Sequence, residues 1–403
     1  MLGWDAVKDV RWEWLFHAYR TAEETPEILR GLTSGDASSR ENAIDYLDGS
    51  VLHQGTIYAA TAPAVRVVAG LLDEPILRAP LDGGPTLEAV LGFLADAAES
   101  LGWADDVHQV EAPTEKQMKK LAKHLRKDED GEDDEGWGSP MVEVMMKMAV
   151  LDLRSMAPEV LEAVVPFVLD ENPRIAQAAM NATSKWAAVQ LGTPQVEAAV
   201  RVLRTRLGTA TDRNQKACLV LALGEMGQDV SAWLEDEDEA VRSCAALFVR
   251  TPQADGILIG ALTHPEQMDA WFPRNAKPAY FPMNVRISLL DEVIKRGVTI
   301  EGLLLAAVAL IEQTSGGLLA DYEWGPILQV GFPDAEYVNG SGVRPPLPER
   351  LTPAQHAVLE ALVANETLWD PTDGNASLAR MQVGLPNTRE ELAAYLRQTP
   401  VQE

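Results

Sequence analysis

The side chains best equipped for chemistry are few and scattered along this 403-residue chain. Six histidines are present, His17, His53, His108, His124, His264 and His356, and no two stand at the four-residue spacing that puts a pair of imidazoles on one helix face for a metal. Cys218 and Cys244 both lie in apolar helical patterns, which reads as buried free thiols, with a single bridge between them as the alternative. There is no nucleophile elbow, Walker loop, dinucleotide glycine motif or Cys-x-x-Cys. Gly83-Gly84 and Gly316-Gly317 follow no strand signal, so they read as helix breaks rather than phosphate cradles. His53 and Tyr58 form one tempting polar pair that could face a groove and contact a ligand. The other reading of the pair is a loop in which Thr56 caps the next helix and Tyr58 packs on its neighbour. The expectation is a chain with no catalytic residue, no metal and no cofactor.

Charge narrows the partners. The formal net charge is -27, a field that repels phosphate backbones and anionic membranes. Neither nucleic acid nor a membrane is therefore expected. A basic protein would be drawn in, although the acidity could also serve solubility alone. Apolar residues make up 46% of the chain, enough to fold and too many for wholesale disorder. The longest apolar run, Gly302 to Ile311, is flanked by Glu301 and Glu312 and is too short to span a bilayer. No signal peptide is visible among the first residues, so a cytoplasmic location is expected.

The elements that would position any surface are helices. Val168 to Val189 reads as a hairpin corner: a helix ending near Leu169, a turn through Asp170 to Pro173, and a second helix from about Arg174. Ile175, Ala178, Ala182, Trp186 and Val189 share one face of that helix at three- and four-residue steps. Arg174, Gln177, Asn181 and Lys185 fall on the other face. The corner recurs as Asp36, Arg40, Ala43, as Asp212, Lys216, Leu219, and as Asp238, Arg242, Ala245. Asn284, Arg286 and Leu289 shorten the spacing. Each corner needs a capping side chain, a solvent-facing basic residue one turn on, and small apolar residues where helices approach. Hairpins repeating at roughly 26 to 40 residues point to an all-α stack.

These corners resemble HEAT-type repeats, most clearly Leu234 to Val249 and next Val168 to Ala182. The resemblance covers about Glu24 to Leu310 and implies a right-handed α-solenoid of stacked hairpins. Segments from His53 to Leu72, Leu351 to Asp370 and Gly374 to Leu396 are similar to bacterial HEAT-like repeat proteins, some thought to be immunity proteins of polymorphic toxins. What the resemblance implies is non-enzymatic protein binding, and in its sharpest form an immunity protein that occludes a cognate toxin. The charge suits a basic toxin domain without selecting that class. A general interaction scaffold is the alternative, followed by a HEAT-like enzyme of the DNA glycosylase or bilin lyase type. A glycosylase would need a basic DNA groove, against which the charge argues.

The expected organisation is N-terminal helical repeats over 1–126, an acidic loop over 127–140, HEAT-like repeats over 141–329, a Gly/Pro-rich linker over 330–350 and a C-terminal helical cap over 351–403. Residues 4–19 are expected to form an amphipathic helix with Trp4, Val7, Val10 and Trp14 on one stripe. The run Asp128 to Glu135 reads as a solvated loop or as an arm competing for a basic surface. In HEAT-like stacks the second helices line the concave side. That places Arg174, Gln177, Asn181, Lys185, Arg213, Lys216 and Arg242 along one groove, either facing acidic groups of a partner or bridging to carboxylates of adjacent repeats. The insertion over 264–284 carries Trp271, Phe272, Arg274, Tyr280 and Phe281, which either cover the core or anchor a partner.

Overall fold

In the computed structural model, residues 1–104, 107, 109–126, 137–273, 276–316, 318–335, 337 and 343–402 are described. The chain is 64% helix and 2% strand, so the all-helical expectation holds. It divides into two compact units, Met1–Gln228 and Asp229–Glu403. The acidic run over 128–135 and Arg274 lie outside the described residues.

The first unit holds α1 (Thr25–Arg30), α2 (Ala37–Tyr46), α3 (Thr61–Ala69), α4 (Thr86–Trp103) and α5 (Glu115–Leu125). It continues with α6 (Pro140–Val164), α7 (Pro173–Ala188), α8 (Pro194–Leu207) and α9 (Arg213–Glu225). Helices α2, α4, α7 and α9 pack successively on one another, as do α3, α6 and α8. Contacts of α6 with α7 and of α8 with α9 join the two rows. Trp186 is fully buried on α7 with Ile175, Ala179 and Ala182, so its indole is a core plug.

The second unit holds α10 (Glu239–Ala246), α11 (Pro252–Leu262), α12 (Pro265–Asp269), α13 (Val285–Lys295) and α14 (Ile300–Gln313). The remaining helices are α15 (Gly325–Gly331), α16 (Pro353–Ala364), α17 (Gly374–Gln382) and α18 (Arg389–Gln398). One row runs α11, α14, α16, α18 and another α13, α15, α17.

Local capping follows the corner rule. The side chains of Asp36, Asn172, Asp212 and Asp238 each accept a backbone N–H in the first turn of α2, α7, α9 and α10, satisfying donors that the helix cannot pair. Asn284 makes no such bond, so the shortened corner lacks its cap.

Four expectations are corrected. Residues 4–19 form two short 3₁₀ turns, Trp4–Val7 and Trp12–Trp14, and a bridge between Phe16 and Thr21 rather than one helix. The tryptophans are claimed by different neighbours: Arg30 lies 4.8 Å from the Trp4 ring, and Lys119 lies 4.8 Å from the Trp14 ring. A straight stripe could not reach both.

The corner arginine at position 40 is not solvent-facing. It is 3% exposed, and its guanidinium donates to Ser34 O, Pro80 O and Thr86 Oγ1. Thr56 does not cap α3. Thr61 opens that helix and its hydroxyl donates to Val51 O while accepting from the Tyr58 N–H. Gly84 lies in a two-residue antiparallel ladder with Pro80–Leu81, not in a simple helix break.

Candidate functional site

Of the groove residues expected on α7, Arg174 and Lys185 are tied inward. Arg174 Nε lies 2.7 Å from Glu88 Oε2, and Nη2 donates to Glu88 Oε1 at 3.0 Å. The Gly83 carbonyl accepts from the same group. Gly84 has φ 150°, a conformation that side-chain-bearing residues rarely adopt, and a Cβ there would stand 2.6 Å from this guanidinium. Lys185 Nζ lies 2.8 Å from Glu225 Oε1 and 3.7 Å from Glu99 Oε1. Burial alone would lower its pKa, but the two carboxylates outweigh it and hold the ammonium charged. Gln177, Arg213 and Lys216 are also engaged by neighbours; Asn181 is half-buried.

Arg242, in the second unit, bends back on its own corner and donates to Asp236 O at 2.8 Å and Glu237 O at 3.0 Å. Arg40 takes the carbonyl six residues back in the same way, at 2.8 Å. The repeated corner arginine is therefore a brace for the turn that precedes it. Sequence spacing locates it but does not show that its donors are already spent.

The aromatic insertion faces inward too. Trp271 is 7%, Phe272 6% and Phe281 1% exposed. Phe272 stacks on Phe281 at 6.2 Å, and Tyr280 meets Phe248 edge-on at 5.6 Å. Tyr280 is half-buried, so the insertion's three largest apolar side chains are turned away from solvent.

A different concavity opens in the first unit, away from the groove and the aromatic insertion expected to bind a partner. It is a cleft of 640 Å³ between the turn Gly55–Ile57, the last turn of α4 and the start of α6. Trp103 stands at its edge with 75% exposure. Trp137 forms another wall and is fixed edge-on against Phe16 at 5.6 Å. Gln54, with φ 52°, is the one non-glycine residue of left-handed conformation among the described residues. Gly55 follows with φ 73°, and a Cβ there would sit 3.5 Å from both Ser100 and Trp103. The chain spends backbone strain to lay this turn flat on α4.

On α4, Asp96, Ser100 and Trp103 follow one another at helical i, i+4, i+7 spacing and so share a face. Crowding by protein atoms, then repulsion from Asp96 and Asp45, pushes the Asp48 carboxyl up to about 6. Asp96 is likewise pushed up to about 6, by crowding and then Glu99, with Lys185 pulling the other way. Both keep contact with solvent. Asp48 sits in a π-helical turn, Leu47–Val51, that carries the chain out of α2.

A further polar cluster has the makings of a dyad. His17 Nε2 lies 3.1 Å from Glu24 Oε1, and Arg20 Nε donates to the same oxygen at 3.0 Å. The imidazole is 2% exposed, and burial lowers its pKa despite Glu24. Tyr46 meets the ring edge-on at 5.3 Å. The His17, Arg20 and Glu24 side chains tie together the turns that precede α1. His53 bonds the Tyr19 hydroxyl at 3.3 Å, and Tyr58 packs on the Phe16 cluster instead of pairing with it.

Among the described residues no group of three or more His, Cys, Asp or Glu is placed to hold a metal ion, and both cysteines are buried thiols outside any disulfide. No described helix is long and apolar enough to cross a membrane. No protein family, curated protein or solved structure matches the chain.

Proposed function

We propose that this chain is a non-enzymatic protein-binding α-solenoid, a right-handed stack of HEAT-like hairpins with a C-terminal helical cap, whose partner is a basic protein. One observation carries the reading: the placement of charge. Residues 1–228 hold 22 basic and 36 acidic side chains, a net of -14, and residues 229–403 hold 12 and 25, a net of -13. Several of the few cations are spent internally. Arg40, Lys185, Arg286, Arg296 and Arg380 are all held by internal groups. The excess of carboxylates is thus left to the surface, where it steers a cationic partner.

The successive packing of α2, α4, α7 and α9 beside α3, α6 and α8 is the contact pattern that stacked hairpins produce. The sharpest form of the reading is an immunity protein covering the active surface of a cognate toxin. It is tested by retrieving the tagged full chain from its own cells at low salt and identifying what accompanies it in stoichiometric amount. A basic protein released by moderate salt supports the reading. A stoichiometric acidic partner, or a partner held equally at high salt, overturns it.

A further inference from the structure

We propose that the buried guanidinium of Arg380, walled by the indoles of Trp324 and Trp369, holds a small monovalent anion of chloride size. The site lies wholly within residues 229–403 and does not depend on the protein-binding reading. Its first support is an unmatched charge. Arg380 stands on α17 and is 1% exposed. Among the described residues its one hydrogen bond runs from Nη1 to Leu368 O, at 2.8 Å. Nε is buried without an acceptor, and no carboxylate among the described residues pairs with the group. Other inward-turned arginines of this unit are treated differently. Arg296 meets Glu292 and Asp255, and Arg286 meets Asp269 and Glu323. A chain with 61 acidic side chains thus leaves this enclosed cation without a counterion, which is unfavourable unless an anion completes it.

The charged groups that act on Arg380 are Asp373 and Arg344. The Asp373 carboxylate is turned to the first turn of α17, where it accepts the Ala376 N–H. Arg344 adds positive potential at the same place. It precedes Pro345, whose carbonyl packs so closely on Gly384 that a Cβ there would collide with it.

The second support is another orphan donor. Trp324 is fully buried, and its Nε1–H has no acceptor. The guanidinium carbon lies 5.9 Å from the centre of that indole and 4.5 Å from the centre of Trp369. Close packing holds Trp324 there. A Cβ on the next residue, Gly325, would stand 2.7 Å from Ala320 O and 3.2 Å from the Cβ of Ala379, the neighbour of Arg380. Trp369 donates its own N–H to Leu362 O, so it offers the site only its ring. Water would satisfy the orphan N–H groups and leave the charge unmatched; an anion answers both. Apolar walls and deep burial favour a weakly hydrated monoanion over sulfate or phosphate, whose dehydration is harder.

The test uses the full chain in sodium gluconate, into which chloride or bromide is exchanged at constant ionic strength. The melting temperature should rise saturably with either halide, by about 5 °C at a hundredfold excess over the dissociation constant. Crystals soaked in sodium bromide should show an anomalous-scattering peak within hydrogen-bonding reach of Arg380 Nε. Trp324→Phe keeps an aromatic ring, deletes one orphan donor and should weaken halide binding about fivefold. Arg380→Met should abolish the halide-dependent rise. A rise that persists in Arg380→Met puts the anion elsewhere and overturns the proposal. Water alone beside Arg380 in the bromide crystals overturns it too. So does a bromide peak with no halide-specific rise in solution, which is binding at crystal concentration only. Should Arg380→Met fail to fold, the position of the bromide peak and the rise in the native chain decide.

Discussion

In residues 229–403 Arg242, Arg296, Arg380 and Arg389 are turned onto backbone carbonyls, whereas in residues 1–228 Arg174 and Lys185 are matched to carboxylates. Arg296 is the extreme case. It is 4% exposed at the side chain; Nε donates to Glu292, Nη1 to Val249 O and Asp255, and Nη2 to Ala246 O and Leu247 O. All five donors are used, and the carbonyls left over at the end of α10 are satisfied. Arg380 is 1% exposed, donates to Leu368 O and lies 4.5 Å from the Trp369 ring. Burial lowers its pKa to about 10, still charged at neutral pH. The second unit therefore uses cations as internal brackets. The first unit's Arg174 and Lys185 are instead neutralised by carboxylates, and both units keep a net negative charge, -14 and -13.

Breaking this contrast begins with the largest effect. Trp186→Ala empties a fully buried indole site in the first unit and should cost about 4 kcal/mol in urea unfolding; a change confined to binding, with unfolding intact, would refute its place in the core. Arg296→Met should cost about 3 kcal/mol, because two partly buried carboxylates and three carbonyls lose their donor. Hydrogen exchange should accelerate first at α10 and α13. An effect below about 1 kcal/mol would mean the bracket is incidental.

Arg40 tests whether the contrast is clean, since it belongs to the first unit yet grips carbonyls. Arg40→Lys keeps the charge and loses the planar fork, so about 2 kcal/mol should go. The smallest effect has the opposite sign. Asp96 has its pKa raised from 3.8 to about 6 in the folded chain, so folding gains from its proton below about pH 4 and loses that gain as pH rises through about 6. Asp96→Asn should therefore raise the melting temperature near neutral pH and leave it unchanged near pH 4. A lowered melting temperature near neutral pH would place Asp96 in a stabilising ion pair instead.

What was legible in the sequence was local. Asp36, Asp212 and Asp238 declare their helices because a cap acts over three residues. Trp186 declares its face because the helical period does. Arg40 and Arg242 were located by the same spacing, yet their inward turn depends on a loop carbonyl six residues back, which periodicity does not register. The N-terminal tryptophans read as one stripe because their partners, Arg30 and Lys119, come from other helices. Trp103 was hidden by being the last residue of α4, where an apolar residue looks like core. In the assembled unit it stands exposed between the Gln54–Gly55 turn and the start of α6. Only the assembled unit brings Asp48 near Asp96.

The central claim is that a basic protein is held by the excess of carboxylates on the surface. The direct measurement is calorimetric titration of the captured partner into the native chain across a series of salt concentrations. The account predicts affinity that falls steeply as salt rises. Affinity unchanged across the series would contradict it.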